Sequence, residues 1–186
     1  VKKNIKENLL YNKIFSEIIS SKILYIAMFF HDLGKGTGND HSIVSSEIAE
    51  TFCSFIEIDQ TEKNTIAWLI KNHLLMNNIS QKRDIDNMNT IFEFAKKVQS
   101  QERLKLLFIF TVADMKATGK SIWNTWNKFP LEQLFLKTRN LLIGSSINAN
   151  KEAVKIIKLK LENNKNLSSK KKISNLIKIL PNEIYL

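Results

Sequence analysis

An apolar run that ends in a His-Asp pair and three glycines, ILYIAMFFHDLGKGTG, occupies residues 23–38. Its first eight residues are almost wholly apolar, which is typical of a helix buried in a core. The glycines, spaced two apart from Gly34, supply a helix C-cap and a turn, so we expect the helix to end near Leu33. The pattern predicts a buried helix that presents His31 and Asp32 at its end.

Helical periodicity continues along the rest of the chain, and no alternating strand pattern interrupts it. Asp59 and Glu62 have the spacing of a capping box, and residues 77–86 are polar and predict a loop. We expect an all-α protein with further helices at residues 41–55, 59–74, 89–98, 102–116, 121–142, 150–163 and 170–180. In the helix at 41–55, the residues expected to point inwards are Ile43, Val44, Ile48, Phe52 and Phe55.

Composition excludes several classes of protein. Of 186 residues, 44% are hydrophobic and 25% are charged, the balance of a globular chain. Five glycines and two prolines are too few for the turns of a β sandwich. The single cysteine, Cys53, excludes an internal disulfide and fits a reducing compartment. The longest apolar run, residues 23–30, is too short to span a membrane. We expect a cytoplasmic protein with no membrane partner.

The net charge of +10 raises the question of nucleic acid. Many of the lysines lie between residues 151 and 178, but Tyr185 is the only aromatic residue near them. A single-strand binding platform needs aromatic side chains for bases to stack on. The charge therefore favours a solvated face over a nucleic-acid groove.

The three histidines, His31, His41 and His73, lie in one stretch of the chain. His31 and Asp32 stand at a helix end, where the negative end of the helix dipole favours a divalent cation. Asp114 follows an apolar run, and a carboxylate there is costly unless it meets a cation. Asp32 and Asp114 are 82 residues apart, so only folding brings them together. His31, Asp32 and Asp114 are therefore candidate metal ligands.

Lys35 lies one helical turn after His31, among the glycines. Glycines let backbone N–H groups approach a phosphate, and lysine supplies a positive charge. A metal with lysine and glycines suits hydrolysis of a phosphate ester, because the metal acidifies bound water and neutralises charge on phosphoryl oxygens.

Structural roles also explain each residue taken singly. The His31-Asp32 pair alone favours a helix cap followed by a turn residue. His41 suits a first helical turn, and His73 suits a half-buried helix position bonded to backbone. Asp114 has Lys116 and Arg103 as candidate ion-pair partners, and Lys35 also suits the role of an ordinary solvent-facing charge.

Several further segments accompany the His-Asp pair in a fixed order: residues 29–42 (FFHDLGKGTGNDHS), 67–76 (AWLIKNHLLM), 81–85 (QKRDI), 111–118 (TVADMKAT) and 123–126 (WNTW). This set resembles the HD superfamily of metal-dependent phosphohydrolases and, within it, the bifunctional uridylyltransferase/uridylyl-removing enzymes, over about residues 23–140. Trp123 and Trp126 match family positions, but indoles three residues apart are more typical of helix packing, so we interpret them as structural.

The resemblance implies a compact HD-domain helical bundle that hydrolyses a phosphodiester, removing UMP from a tyrosine of uridylylated nitrogen regulatory protein PII. It implies a divalent metal, Mg²⁺ or Mn²⁺, with the ligands His31, Asp32 and Asp114. It also implies further ligands or phosphate contacts in the catalytic set Lys35, His41 and His73. An HD phosphohydrolase acting on a nucleotide or (p)ppGpp is the alternative, as is a non-catalytic basic binding module.

Two features depart from that family. HD enzymes usually take a first metal-ligating histidine from an earlier helix, and residues 1–30 contain none. The family's nucleotidyltransferase and ACT domains do not fit in 186 residues, and the chain starts with Val1. We therefore expect an internal piece whose partners are the remaining domains of a parent enzyme, and which alone is weakly active or inactive. It comprises an HD domain at 1–145 lacking its first helix, and a truncated helical extension at 146–186 packed on it.

Overall fold

The computed structural model describes residues 9–119 and 121–163, and within these ranges the regular structure is helical, without strands. The all-α prediction is confirmed. In chain order the helices are α1 (Leu9–Ser16), α2 (Ser21–Phe30), α3 (His41–Phe55), α4 (Gln60–Lys71), α5 (Leu75–Lys82), α6 (Met88–Val98), α7 (Gln101–Thr118) and α8 (Thr125–Asn163).

The chain divides into two compact units, Val1–Ile143 and Gly144–Leu186. In the second unit the structure describes residues 144–163, which are helical. The helix predicted at 170–180 lies outside the described residues. The separation of an HD domain at 1–145 from an extension at 146–186 stays a prediction.

Helix α7 is the centre of the first unit. Ten of its residues are buried, and they lie on every side of the helix. Helices α1, α2, α4, α5 and α6 all pack against it. A helix that is apolar all round is stable only when neighbours cover it on all sides, because each fully buried Leu or Phe contributes about 1.5–3 kcal/mol. This central position fixes where Asp114, near the end of α7, is placed.

Helices α2, α4 and α7 begin at one end of the unit and finish at the other. Their first residues line a common cavity of about 460 Å³. Asp59 caps α4 by accepting hydrogen bonds from the N–H groups of Thr61 and Glu62, and Ser100 caps α7 through the N–H of Arg103. Asp59 supplies its half of the predicted capping box, but the Glu62 carboxylate bonds to Ser20 Oγ and Lys22 Nζ instead of supplying the other half.

Helix α3 has the predicted bounds, but the prediction for its inward face is wrong. Its buried residues are small: Ser42, Ser45, Ser46, Ala49 and Cys53. Val44 is half-buried, and the four remaining residues expected inside are exposed, namely Ile43 (49%), Ile48 (39%), Phe52 (38%) and Phe55 (86%). Small side chains let the backbone of α3 approach its neighbours closely, so the large apolar residues are left outside.

Helix α2 is less enclosed than its composition predicts. Ile23, Leu24, Ala27 and Phe30 are buried, whereas Phe29 is 71% exposed. A helix in an outer layer needs to bury only one stripe, and an apolar residue on the opposite side then stays in solvent.

Three other predictions need correction. Residues 75–82, expected to be mostly loop, form α5, because Met76 and Ser80 supply one narrow buried stripe on an otherwise polar helix. The helices expected separately at 121–142 and 150–163 are one helix, α8. Trp123 is half-buried against Tyr11, as a packing role requires, but Trp126 is 86% exposed and has no such role.

Among the described residues, none of the helices is both long enough and apolar enough to pass through a membrane.

Candidate metal centre

His31 is held at the end of α2 by two backbone contacts. Its N–H donates to the Ala27 carbonyl at 3.0 Å, and its ring Nδ1 lies 2.9 Å from the Met28 carbonyl oxygen. A carbonyl only accepts hydrogen bonds, so Nδ1 carries the proton. Nε2 therefore faces two carboxylates, with Asp32 Oδ2 at 3.2 Å and Asp114 Oδ1 at 3.6 Å.

His73 repeats this arrangement two residues after the end of α4. It is 3% exposed, and its Nδ1 lies 2.8 Å from the Ile70 carbonyl oxygen, again three residues earlier in the chain. This contact fixes the neutral tautomer whose Nε2 lone pair is available to a metal. The backbone thus orients both imidazoles before any ion binds.

His41 begins α3 and completes the cluster. Its ring centroid is 5.4 Å from that of His73, which in turn is 5.2 Å from that of His31. One ligand atom from each of Asp32, His41 and His73 lies within 4.8 Å of the others. Two imidazole nitrogens and one carboxylate oxygen are a ligand set that divalent cations accept. The residues present therefore fit a divalent metal.

Helix dipoles add to this preference for a cation. Helices α2 and α4 finish just before His31 and His73, and Asp114 lies in the last turns of α7. Three partly negative C-terminal ends therefore converge on the cluster. Among the described helices, α3 and α5 present their positive ends, since they begin at His41 and at Leu75, and at α3 the Asp40 side chain accepts a hydrogen bond from the Ser42 N–H. Three negative ends against two positive ends still favour positive charge at this point.

The surroundings move the pKa values of His31 and Asp32 in opposite directions. Burial lowers the pKa of His31, but the Asp114 carboxylate, the Met28 carbonyl and the Asp32 carboxylate outweigh it, so this pKa is raised. Burial raises the pKa of Asp32, but Lys35 and His31 outweigh it, so this pKa is lowered. Asp32 is therefore ionised, and His31 retains a proton more readily than an ordinary histidine.

The pKa of His73 is lowered, chiefly by its burial. Its neutral form is the form that binds a metal. The ring also contacts Phe110, whose centroid lies 5.9 Å away and which stands 5.3 Å from the His31 ring. Phe110 precedes Asp114 by one helical turn, so α7 presents both an apolar wall and a carboxylate to the cluster.

Lys35 connects the cluster to solvent. Its Nζ lies 2.6 Å from Asp32 Oδ2, while 61% of its side chain is exposed. Gly36 and Gly38 follow with φ angles of +84° and +80°, which favour glycine. The loop thus places one cation beside Asp32 with an open approach from solvent.

The structure brings together the six predicted site residues, which are His31, Asp32, Lys35, His41, His73 and Asp114. Some structural roles hold as well: His31 caps α2, and His73 bonds to backbone but is fully buried instead of half-buried. Asp114 faces His31, while Arg103 stacks on Trp68 at 4.9 Å. The division of these residues into ligands and catalytic groups stays a prediction.

Sequence reasoning missed the carbonyls of Met28 and Ile70, as well as Phe110 and Ser45, the latter bonded to Gly34. Carbonyl contacts leave no sequence signal. The four-residue spacing between Phe110 and Asp114 was a usable signal, since it places both on one helix face.

These features define an all-α protein with a histidine- and carboxylate-lined centre for a divalent cation. The profile described as HD domain matches residues 7–117, and the chain belongs to that family. Membership of the HD family indicates a metal-dependent phosphohydrolase.

Curated relatives carry a more specific name. Proteins named bifunctional uridylyltransferase/uridylyl-removing enzyme match from Vibrio cholerae, at 43% identity over 130 residues, and from Gluconobacter oxydans, at 40% over 129 residues. The matches cover 70% and 69% of this chain but only 15% and 14% of those proteins, so the chain corresponds to a small part of their length. No solved structure matches the chain.

Proposed function

We propose that this chain is the part of a larger enzyme that removes UMP from uridylylated PII by metal-dependent hydrolysis of a phosphodiester. The observation that carries the proposal is the group formed by Asp32, His41 and His73, whose ligand atoms lie within 4.8 Å of one another. The names of the relatives supply the uridylyl-removing activity, and PII is the substrate implied by the resemblance.

The proposed ion is Mg²⁺ or Mn²⁺. Asp32 and Asp114 supply the carboxylate oxygens that these ions prefer, and the histidines supply imidazole nitrogen, which Mn²⁺ accepts more readily than Mg²⁺. Whichever of the two binds, a divalent cation supplies a Lewis acid and a bound water of lowered pKa.

The chain's own residues then orient and neutralise the substrate. Lys35 has an exposed side chain beside Asp32, so its ammonium group contacts a phosphoryl oxygen at the edge of the centre. The backbone contacts of His31 and His73 keep both Nε2 atoms pointing inwards. The leaving group in this proposal is a tyrosine oxygen with an ordinary pKa near 10, so it departs more easily than an alkoxide.

The proposed setting is the cytoplasm of a bacterium, with PII and the other domains of the longer enzyme as partners. An interface with PII has to be transient, because the demodified protein must leave after each turnover.

The test is release of UMP from uridylylated PII by the protein that contains this chain, with Mn²⁺ or Mg²⁺ added or chelated. We expect metal-dependent release that Asp32→Ala and Asp114→Ala each abolish. The matched control is Glu62→Gln, which changes a partly buried carboxylate at the opposite end of the same helices and should leave release unchanged. Full release by either aspartate variant would contradict the site.

The same assay separates the alternatives. Metal-dependent hydrolysis of a nucleotide or (p)ppGpp, with none of uridylylated PII, would keep the HD chemistry and replace the substrate. Salt-sensitive nucleic-acid binding that survives Asp32→Ala, without any hydrolysis, would indicate a binding module instead.

A further inference from the structure

A buried hydrogen bond from Gly34 to Ser45 joins the turn that carries Asp32 to helix α3. We propose that Ser45 is a positioning residue that, through Gly34, sets the separation of Asp32 from His41. This inference rests on the proposed metal centre, to which both of those residues belong.

The backbone of Gly34 is bonded on both sides. Its N–H donates to Ser45 Oγ at 2.9 Å, and its carbonyl accepts from Thr37 Oγ1 at 2.9 Å. Ser45 is wholly buried, so water cannot replace its hydroxyl as the acceptor. The hydrogen bond spans 11 residues, from the turn after α2 to the second turn of α3.

The contact leaves no room for a side chain at position 34 unless the backbone of α3 shifts. A Cβ there would lie 2.6 Å from the His41 carbonyl oxygen and 2.8 Å from Val44 Cβ. Gly34 follows Asp32 by two residues and presses on the first turn of α3, which carries His41. Any widening at this point therefore moves the Asp32 carboxylate away from the His41 ring.

A cation needs its ligand atoms held at fixed separations before it binds, and residues behind the ligands supply that order. Ser45 does not reach the cluster itself, but it acts on two of its members at once. Helix α3 buries serines and alanine on the side where large apolar residues were expected. The Gly34–Ser45 contact gives a functional reason for a small polar residue at position 45.

The experiment measures Mn²⁺ affinity of the chain for Ser45→Ala beside a matched control, Ser46→Ala. Ser46 is the next residue on the same helix, is equally buried, and bonds to Glu50 within α3. We expect Ser45→Ala to weaken Mn²⁺ binding by about tenfold or more, the loss typical of residues that support metal ligands, and Ser46→Ala to change it by less than about threefold. Equal affinities in the two variants would overturn the proposal.

Two more variants keep the test decisive if Ser45→Ala does not fold. Ser45→Cys retains the shape with a weaker acceptor, so its Mn²⁺ affinity should fall between those of the native protein and Ser45→Ala. Thr37→Val removes the second hydrogen bond of Gly34 from an exposed position and should weaken Mn²⁺ binding by a smaller factor. Native affinity in both variants would contradict a positioning role.

A readout without metal separates failure of this inference from failure of the proposed function. The Gly34 amide should exchange slowly with solvent in the native protein and in Ser46→Ala, and rapidly in Ser45→Ala. The NMR shifts of the His41 ring protons should move only in Ser45→Ala. If the native chain binds no Mn²⁺, the proposed metal centre is wrong. The His41 shifts still test the positioning role in that case: movement in Ser45→Ala supports it, and unchanged shifts refute it.

Discussion

The two ends of helices α2, α4 and α7 differ in how their charges are matched. At the cavity end, each carboxylate has its own local partners. Glu62 lies 2.6 Å from Lys22 Nζ and accepts from Ser20 Oγ at 2.8 Å. Glu102 lies 2.8 Å from Lys105 Nζ and accepts from the Ile19 N–H, also at 2.8 Å.

At the metal end, the carboxylates of Asp32 and Asp114 instead share one imidazole, that of His31. Lys35 is a second partner for Asp32, but it is largely exposed. Helix N-terminal ends attract carboxylates and C-terminal ends attract cations. Glu62 and Glu102 supply the carboxylates at the N-terminal ends. At the C-terminal ends, His31 and Lys35 supply only part of the positive charge that the dipoles and the two aspartates favour. A divalent cation therefore suits the metal end and not the cavity end.

The largest effect expected from this difference is on Mn²⁺ binding. Asp32→Asn keeps the shape but removes the charge of a ligand, and we expect it to weaken Mn²⁺ affinity by at least about 100-fold. Glu62→Gln, the same kind of change at the cavity end, should leave affinity unchanged in the same titration. Similar losses in both variants would remove the distinction between the two ends.

Stability should also respond more strongly at the metal end. Gly34→Ala places a Cβ 2.6 Å from the His41 carbonyl oxygen, and we expect overpacking to lower the free energy of unfolding by about 1–3 kcal/mol in urea denaturation. Gly144→Ala is the control, because nothing lies within 4 Å of a Cβ there. A tolerated Gly34→Ala would show that the turn moves freely.

Lower pH should weaken Mn²⁺ binding at the metal end. The pKa of His31 is raised in the folded chain. Protonation of His31 therefore stabilises the fold fully at a pH below the ordinary pKa of histidine, and this stability is lost as the pH rises through the raised pKa. A metal competes with that proton, so affinity should fall by up to about tenfold per pH unit below the raised pKa. Titrations between about pH 6 and pH 8 measure this.

Asp114→Asn provides the check on that assignment. Loss of this proposed ligand lowers the affinity at every pH. It also removes one of the groups that raise the pKa of His31, so the further fall in affinity should begin at lower pH. An unchanged pH profile would show that another group controls binding.

The smallest effect belongs to the cavity end. Ser100→Ala removes the N-cap of α7, and we expect the free energy of unfolding to fall by about 1 kcal/mol in thermal or urea denaturation. Mn²⁺ affinity should not change. A Ser100→Ala protein with weakened Mn²⁺ binding would show that the two ends are coupled through α7.

How far the sequence predicts the fold depends on the element. The start of α3 at His41 follows from a periodic pattern after a glycine-rich turn, and its bounds agree with the structure. Its buried face does not, since periodicity cannot tell whether small or large residues approach the neighbours. The short helix α5 was missed because only Met76 and Ser80 are buried along it.

The candidate site divides in the same way. His31, Asp32 and Lys35 are close in sequence, so local reasoning places them together. His73 follows another helix and Asp114 lies in a third. The cost of burying a carboxylate made Asp114 a candidate ligand, but it was the resemblance to a family that joined His73 to the pair beforehand. The Ser45 hydroxyl and the carbonyls of Met28 and Ile70 depend on tertiary packing, which no local pattern records.

The most direct measurement is a crystal structure of the chain grown with Mn²⁺, with the ion located by its anomalous scattering. We expect a peak between Asp32, His41 and His73, at ordinary coordination distances of roughly 2.0–2.3 Å from their ligand atoms. We also expect the peak to be absent from Asp32→Asn crystals, which would show that the Asp32 carboxylate is needed to bind the ion. An ion bound only elsewhere, such as beside Glu62 and Glu102, would contradict the assignment of the metal centre.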